Sequence, residues 1–137
     1  MNKPELYIKD EAQLEALTKE WQKRLGLSDW YIGVAFATQE EMSNPNWGGE
    51  SDVQWVNKVG TIKIVEKRFI PDDLLIKQPQ EEMLIHELLH FKFIAFEEKT
   101  REESCFEIMQ HQLIETLARA LYSAKYNLDK SWWVKED

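Results

Sequence analysis

Two histidines four residues apart, His86 and His90, sit inside a long apolar run from Glu81 to Phe96. Around them stand Met83, Leu84, Ile85, Leu88, Leu89, Phe91, Phe93 and Ile94. A polar group buried in such company without a partner costs a few kcal/mol, so the pair needs an arrangement that satisfies it. On an α-helix, positions four apart lie one above the other on the same face. Two imidazoles so placed can share one metal ion. Zn²⁺ suits them, because it takes nitrogen ligands in a tetrahedral set and can keep one position open for water. Glu87 follows His86, about a hundred degrees round the helix, which sets a carboxylate beside that open position, ready to take a proton from water. His86-Glu87-Leu88-Leu89-His90 thus has the spacing that metal-assisted hydrolysis requires. Histidine is otherwise scarce: the chain has three, and two make this motif.

A chain of 137 residues is one domain's length, so residues 1–137 are expected to form a single domain. An apolar fraction of 43% with 12% aromatic residues is enough for a packed core and excludes a disordered chain. No apolar run reaches the roughly eighteen residues of a membrane span, and Met1-Asn2-Lys3-Pro4-Glu5 lacks the apolar core of a secretory signal. The single cysteine, Cys105, excludes an internal disulfide and a cysteine-based zinc ribbon. The expected location is the cytoplasm. A formal net charge of −8 works against binding a nucleic-acid backbone, and it leaves a protein or peptide partner open.

Residues 10 to 25 read as a helix, with Leu14, Leu17, Trp21 and Leu25 at three- and four-residue steps, Asp10 as N-cap and Gly26 as stop. Trp30 to Ala37 reads as a strand, rich in aromatic and β-branched residues. Gln39 to Glu50 holds Asn44-Pro45-Asn46 and Gly48-Gly49 and reads as a loop. Trp47 within it is expected to be a packing anchor rather than a substrate contact. Ser51 to Val56 and Thr61 to Glu66 read as two further strands around a hairpin at Asn57-Lys58-Val59-Gly60, with Ile62 and Ile64 on a buried face. The motif helix is expected after Pro79, with Glu81 and Glu82 in its first turn complementing the helix dipole. Charged residues from Glu97 to Glu103 break the apolar pattern and read as a loop. A last helix from about Glu102 to about Tyr126 has Phe106, Met109, Leu113, Leu117, Leu121 and Ala124 as its expected core stripe. Trp132-Trp133-Val134 is expected to fold back on the core. The fold class is therefore α+β: an N-terminal helix, a small three-stranded sheet that can be mixed, the motif helix and a second long helix.

A catalytic zinc takes three protein ligands, and the motif supplies two. The third is expected from the following helix, off its core stripe. His111 and Glu115 both qualify, being four apart, on one face and beside the Leu113-Leu117-Leu121 row.

This order of elements, the His86-Glu87-Leu88-Leu89-His90 run, the later His111-Gln112-Leu113-Ile114-Glu115-Thr116-Leu117-Ala118 segment and the Trp30-Tyr31-Ile32-Gly33-Val34 strand start resemble the short gluzincin-like (zincin) metallopeptidases of phages, prophages and bacteria. The resemblance covers the chain from the first strand to about Leu121. It implies a minimal zincin fold binding Zn²⁺, with an edge strand along the cleft to which an extended peptide can add by β-pairing. By that analogy Thr61 to Glu66 is the edge strand. Gluzincins commonly have a ligand followed four residues later by an acid that bonds the first motif histidine. That pattern makes His111 the third ligand and Glu115 the partner of His86, fixing its tautomer. Gluzincins normally use Glu as the ligand, which keeps Glu115 as the alternative third ligand.

The expected function is therefore hydrolysis of peptide bonds by a zinc metallopeptidase acting on a peptide or protein. His86, His90 and His111 are the metal ligands and Glu87 is the general base. Tyr122, Tyr126 and Arg119 are candidates for steadying the oxyanion. The rival reading is a non-catalytic binding module of the same fold, which uses zinc as a structural clamp while it holds a protein partner.

Overall fold

A computed structural model describes residues 4–71, 73–74, 77–100 and 104–129, with the side chains of 95–100 and 104–106 left aside. The architecture is α+β, with three α-helices and a three-stranded mixed sheet among the described residues. Among the described residues no helix is long and apolar enough to cross a membrane.

Helix α1 spans Glu11–Arg24. Asp10 caps it by accepting from the Gln13 backbone N–H at 2.8 Å, as N-cap aspartates do. Gly26, at φ +71°, takes the left-handed conformation in which glycine carries no Cβ penalty and turns the chain away. Leu14 and Trp21 are buried, and Leu17 and Leu25 pack at the core's margin.

Strand β1 is Tyr31–Ala37, β2 is Gly49–Gln54 and β3 is Val59–Val65. The turn between β2 and β3 comes two residues earlier than the sequence suggests, at Trp55–Lys58, with Lys58 at φ 56°. The sheet order is β1-β3-β2, β1 parallel to β3 and β2 antiparallel to it, with Phe36 opposite Ile64 and Ser51 opposite Ile62. This corrects the edge-strand expectation. Residues Thr61 to Val65 belong to the central strand; β1 and β2 are the edges, and β2 is the one that packs against α2. The reason is in the sequences: β3 (Val-Gly-Thr-Ile-Lys-Ile-Val) buries Ile62, Ile64 and Val65, while β2 (Gly-Glu-Ser-Asp-Val-Gln) is polar and glycine-containing, as edges tend to be.

Helix α2 spans Gln80–Thr100 and α3 Ser104–Tyr126. The expected loop at Glu97 to Glu103 is helix as far as Thr100. Glutamate and lysine are good helix formers, so the charged run does not end the helix before Thr100. The start of α2 is pinned by Gln80. Its Oε1 accepts from the Ile8 N–H at 2.8 Å, and its Nε2 donates to the Val65 carbonyl at 2.9 Å.

In the first turn of α2, Glu81 ties the three helices together. Its carboxylate accepts from the Trp21 indole N–H at 2.8 Å, from Lys125 Nζ at 2.6 Å and from the Tyr126 hydroxyl. Lys125 also meets Glu20 at 2.9 Å. Glu81 and Glu82 thus do more than complement the dipole, since both are buried.

The core stripe of α3 is Ile114, Ala118 and Tyr122, all fully buried, with Gln110 one turn earlier. This corrects the expected stripe: Met109 and Leu113 are 62% and 48% exposed, Ala124 is exposed, and only Leu117 and Leu121 touch the core's margin. Adjacent helix positions differ by about a hundred degrees, and α3 is rolled by about that much relative to the leucine row. Phe106 and Trp132-Trp133-Val134 lie outside what the structure describes.

Candidate metal centre

The middle of α2 packs on α3 on one side and on β2 on the other. The inward face of α2 carries His86, and His90 stands one turn on. His86 is buried and His90 half-buried. From α3 comes His111, which is exposed to the cleft. One ligand nitrogen from each of the three lies within 4.8 Å of the other two. The Nε2 atoms of His86 and His90 are 3.3 Å apart. The ring centroids of His86 and His111 are 4.9 Å apart, and those of His90 and His111 6.2 Å.

These spacings can be set against metal chemistry. Two nitrogens on a tetrahedral zinc, each at about 2.0–2.1 Å, are about 3.3–3.4 Å apart. The His86–His90 separation already has this value. Three neutral imidazoles are a donor set that zinc accepts in sites with an open position. The residues fit the ion.

Glu115, one turn after His111, meets the other nitrogen of His86, Nδ1. That contact with His86 holds the Glu115 carboxyl below the usual carboxylate range, against the opposing effect of partial burial. A carboxylate beside Nδ1 favours the tautomer with the ring proton there, which would leave the Nε2 lone pair toward His90. The structure therefore brings His86, His90 and His111 together and sets Glu115 behind His86.

Glu87 points into the cleft between α2 and β2 and is 5% exposed. Burial pushes its carboxyl above the usual range, with His86, His90 and a hydrogen bond from Ser51 opposing that shift. Ser51 is on β2, so the edge strand itself steadies the acid. β2 comes this close because Gly49 has no side chain. A Cβ there would stand 2.8 Å from Met83 Cγ and 3.2 Å from Glu87 Oε2. The cleft has a volume of about 570 Å³, walled by Trp47, Gly49, Ser51 and Val53 on one side and by Met83 and His111 on the other.

Several sequence-based expectations end differently here. Trp47 is 48% exposed and lines the cleft, so it is not the packing anchor it was expected to be. Tyr122 is sealed in the core, Tyr126 is bonded to Glu81, and Arg119 sits behind Glu115; none of the three lines the cleft. Ser51, Gly49 and Met83 were not singled out. The one available signal was the Gly48-Gly49 pair, read only as a turn, although glycine at the start of a strand also marks close approach of another element.

No family model, no curated protein and no solved structure matches this chain.

Proposed function

We propose that this chain is a zinc-dependent metallopeptidase, with His86, His90 and His111 as metal ligands and Glu87 as general base. The observation that carries the reading is the convergence of three imidazoles beside a buried, cleft-facing carboxylate. A structural zinc site is closed by four protein ligands and needs no such acid. Zinc, when bound, supplies Lewis acidity that polarises a peptide carbonyl and makes water a competent nucleophile near neutral pH.

The chain's own residues do the rest. Glu115 fixes the tautomer of His86, so that the Nε2 lone pair is directed at the site. Glu87 accepts a proton from the attacking water and returns it to the leaving amine. Burial pushes its carboxyl upward, the direction that favours picking up the proton, and a bound cation would oppose that shift. Ser51 keeps the Glu87 carboxylate turned to the cleft. An extended peptide can add to the edge of the sheet along β2, laying its backbone between that strand and the histidines. Trp47 and Met83 offer apolar contact to its side chains.

The test is Glu87→Gln, which keeps the shape and removes the proton acceptor. Zinc content and melting temperature are expected to stay as in the wild type. Cleavage of a broad peptide library should fall by about 10²–10⁴-fold. A wild-type protein that binds zinc and cleaves nothing would turn the reading toward a zinc-clamped binding module.

A further inference from the structure

Two rows of side chains face each other across the α2–α3 contact. On α2 the row is His90, His86 and Glu82; on α3 it is His111, Glu115 and Arg119, each with a four-residue step. At the cleft end His111 lies beside both histidines, its ring centroid 4.9 Å from that of His86 and 6.2 Å from that of His90. His86 meets Glu115 in the middle. One turn further from the cleft, Arg119 Nη2 lies 3.9 Å from Glu115 Oε2, and the guanidinium charge also acts on Glu82. Glu82 is 2% exposed, and its Oε2 accepts from Gln78 Nε2 at 2.8 Å.

Glu115 therefore has two oxygens with two different neighbours, Oε1 on His86 and Oε2 toward Arg119. It is only partly buried, so water competes for both. A carboxylate free to swing toward water would release the His86 ring to rotate, and Nε2 would leave the point where the three histidines converge. A cation beside the outer oxygen, one turn along the same helix, opposes that swing.

We propose that Arg119 is a positioning residue of the metal centre: it holds the outer oxygen of Glu115, and through Glu115 it keeps His86 Nε2 aimed at the site. This rests on the zinc reading above. At 3.9 Å the contact is an ion pair and not a hydrogen bond, so its influence is smaller than that of a direct ligand partner.

The experiment measures Zn²⁺ affinity by competition with a chromophoric chelator at one pH, for wild type, Arg119→Met, Arg119→Lys, Glu115→Gln and the double variant Glu115→Gln/Arg119→Met. Arg119→Met is expected to weaken binding about three- to tenfold, less than the 10–100-fold typical of a direct partner of a ligand. Arg119→Lys should restore most of it. In the Glu115→Gln background Arg119→Met should have no further effect, because its route to the metal is gone. A merely structural arginine would instead weaken binding equally in both backgrounds, and that additivity would overturn the proposal, as would unchanged affinity in Arg119→Met. Should Arg119→Met not fold, Arg119→Gln carries the same comparison. A wild type that binds no zinc overturns the metal reading together with this one. A zinc-binding wild type with an indifferent Arg119 overturns this one alone.

Discussion

Two groups of polar side chains, centred on the buried Glu81 and the buried His86, sit about 7–8 Å apart along α2, and they are built on opposite principles. At Glu81 a single carboxylate gathers an indole N–H, an ammonium and a phenol. Unlike groups meet, and the cluster is closed by the three helices that supply it. At His86 three imidazoles meet, which are like groups, and they do so at the wall of a cleft. Protonated, they repel one another; neutral, the Nε2 atoms of His86 and His90 share at most one hydrogen bond. The first cluster is complete with the partners the helices bring. The second, on the reading proposed above, gains a partner common to all three rings only with a bound cation. Polar groups on one helix can thus serve two ends, and the chemistry of their neighbours tells them apart.

The largest expected effect tests the second half of that contrast. The purified protein should hold about one zinc per chain. At free zinc a thousand times its Kd the ion should add about 4 kcal/mol to the folded state, read as a fall in melting temperature on chelation. His86→Ala, His90→Ala and His111→Ala should each weaken zinc binding severely, and Glu115→Gln about 10–100-fold. Metal-free His111→Ala should unfold within about 0.5 kcal/mol of the metal-free wild type, as exposed substitutions do. If Glu115→Gln proves worse for zinc than His111→Ala, their roles are exchanged. If the metal-free alanine variant is markedly unstable, the histidines hold the fold and the contrast fails.

The next effect tests the first half. Glu81→Ala leaves Lys125 without its buried counter-charge and Trp21 without its acceptor. Breaking a buried pair from one side costs about 3 kcal/mol or more, measurable by urea unfolding. Zinc affinity should stay within about twofold, since the two clusters share no side chain and effects at separate sites add. A tenfold loss of zinc affinity in Glu81→Ala would show that the clusters are one.

How far was this legible in the chain itself? The α+β class and the element order were, because Leu14-Leu17-Trp21 and Ile62-Ile64 each obey one period, and the run around His86 is apolar on every side over a length that suits a buried helix. Which strand forms the edge beside α2 was not, since β-pairing is non-local and the polarity of Gly49–Gln54 does not name its neighbours. The roll of α3 was missed for a related reason. Leu113 and Ile114 are equally apolar, and periodicity alone does not say which of two adjacent rows faces inward. That choice is made jointly by Ile114, Ala118, Tyr122 and the His111-Glu115-Arg119 row, which must reach α2. The motif histidines stood out because their spacing is local. Ser51 did not, because a serine on an edge strand means nothing until Gly49 lets that strand approach Glu87.

The smallest expected effect concerns pH and bears on whether the Glu81 cluster stabilises through its charges. Burial tends to lower the Lys125 ammonium, but its bonds to Glu81 and Glu20 outweigh that and raise it above its ordinary 10.5. Burial and the bond to Glu81 raise the Tyr126 hydroxyl above its ordinary 10.0. A group that binds its proton more tightly when folded contributes stability that is fully present below its unfolded value and is lost as pH rises through the folded one. The free energy of unfolding should therefore begin to fall above about pH 10, with both groups acting in the same direction. Urea titrations between pH 8 and 11.5, with chelator present to silence the metal centre, should show this slope in the wild type and a shallower one in Lys125→Met and in Tyr126→Phe. Equal slopes in all three proteins would mean that neither proton is held more tightly in the fold, and that the cluster works by packing and not by charge.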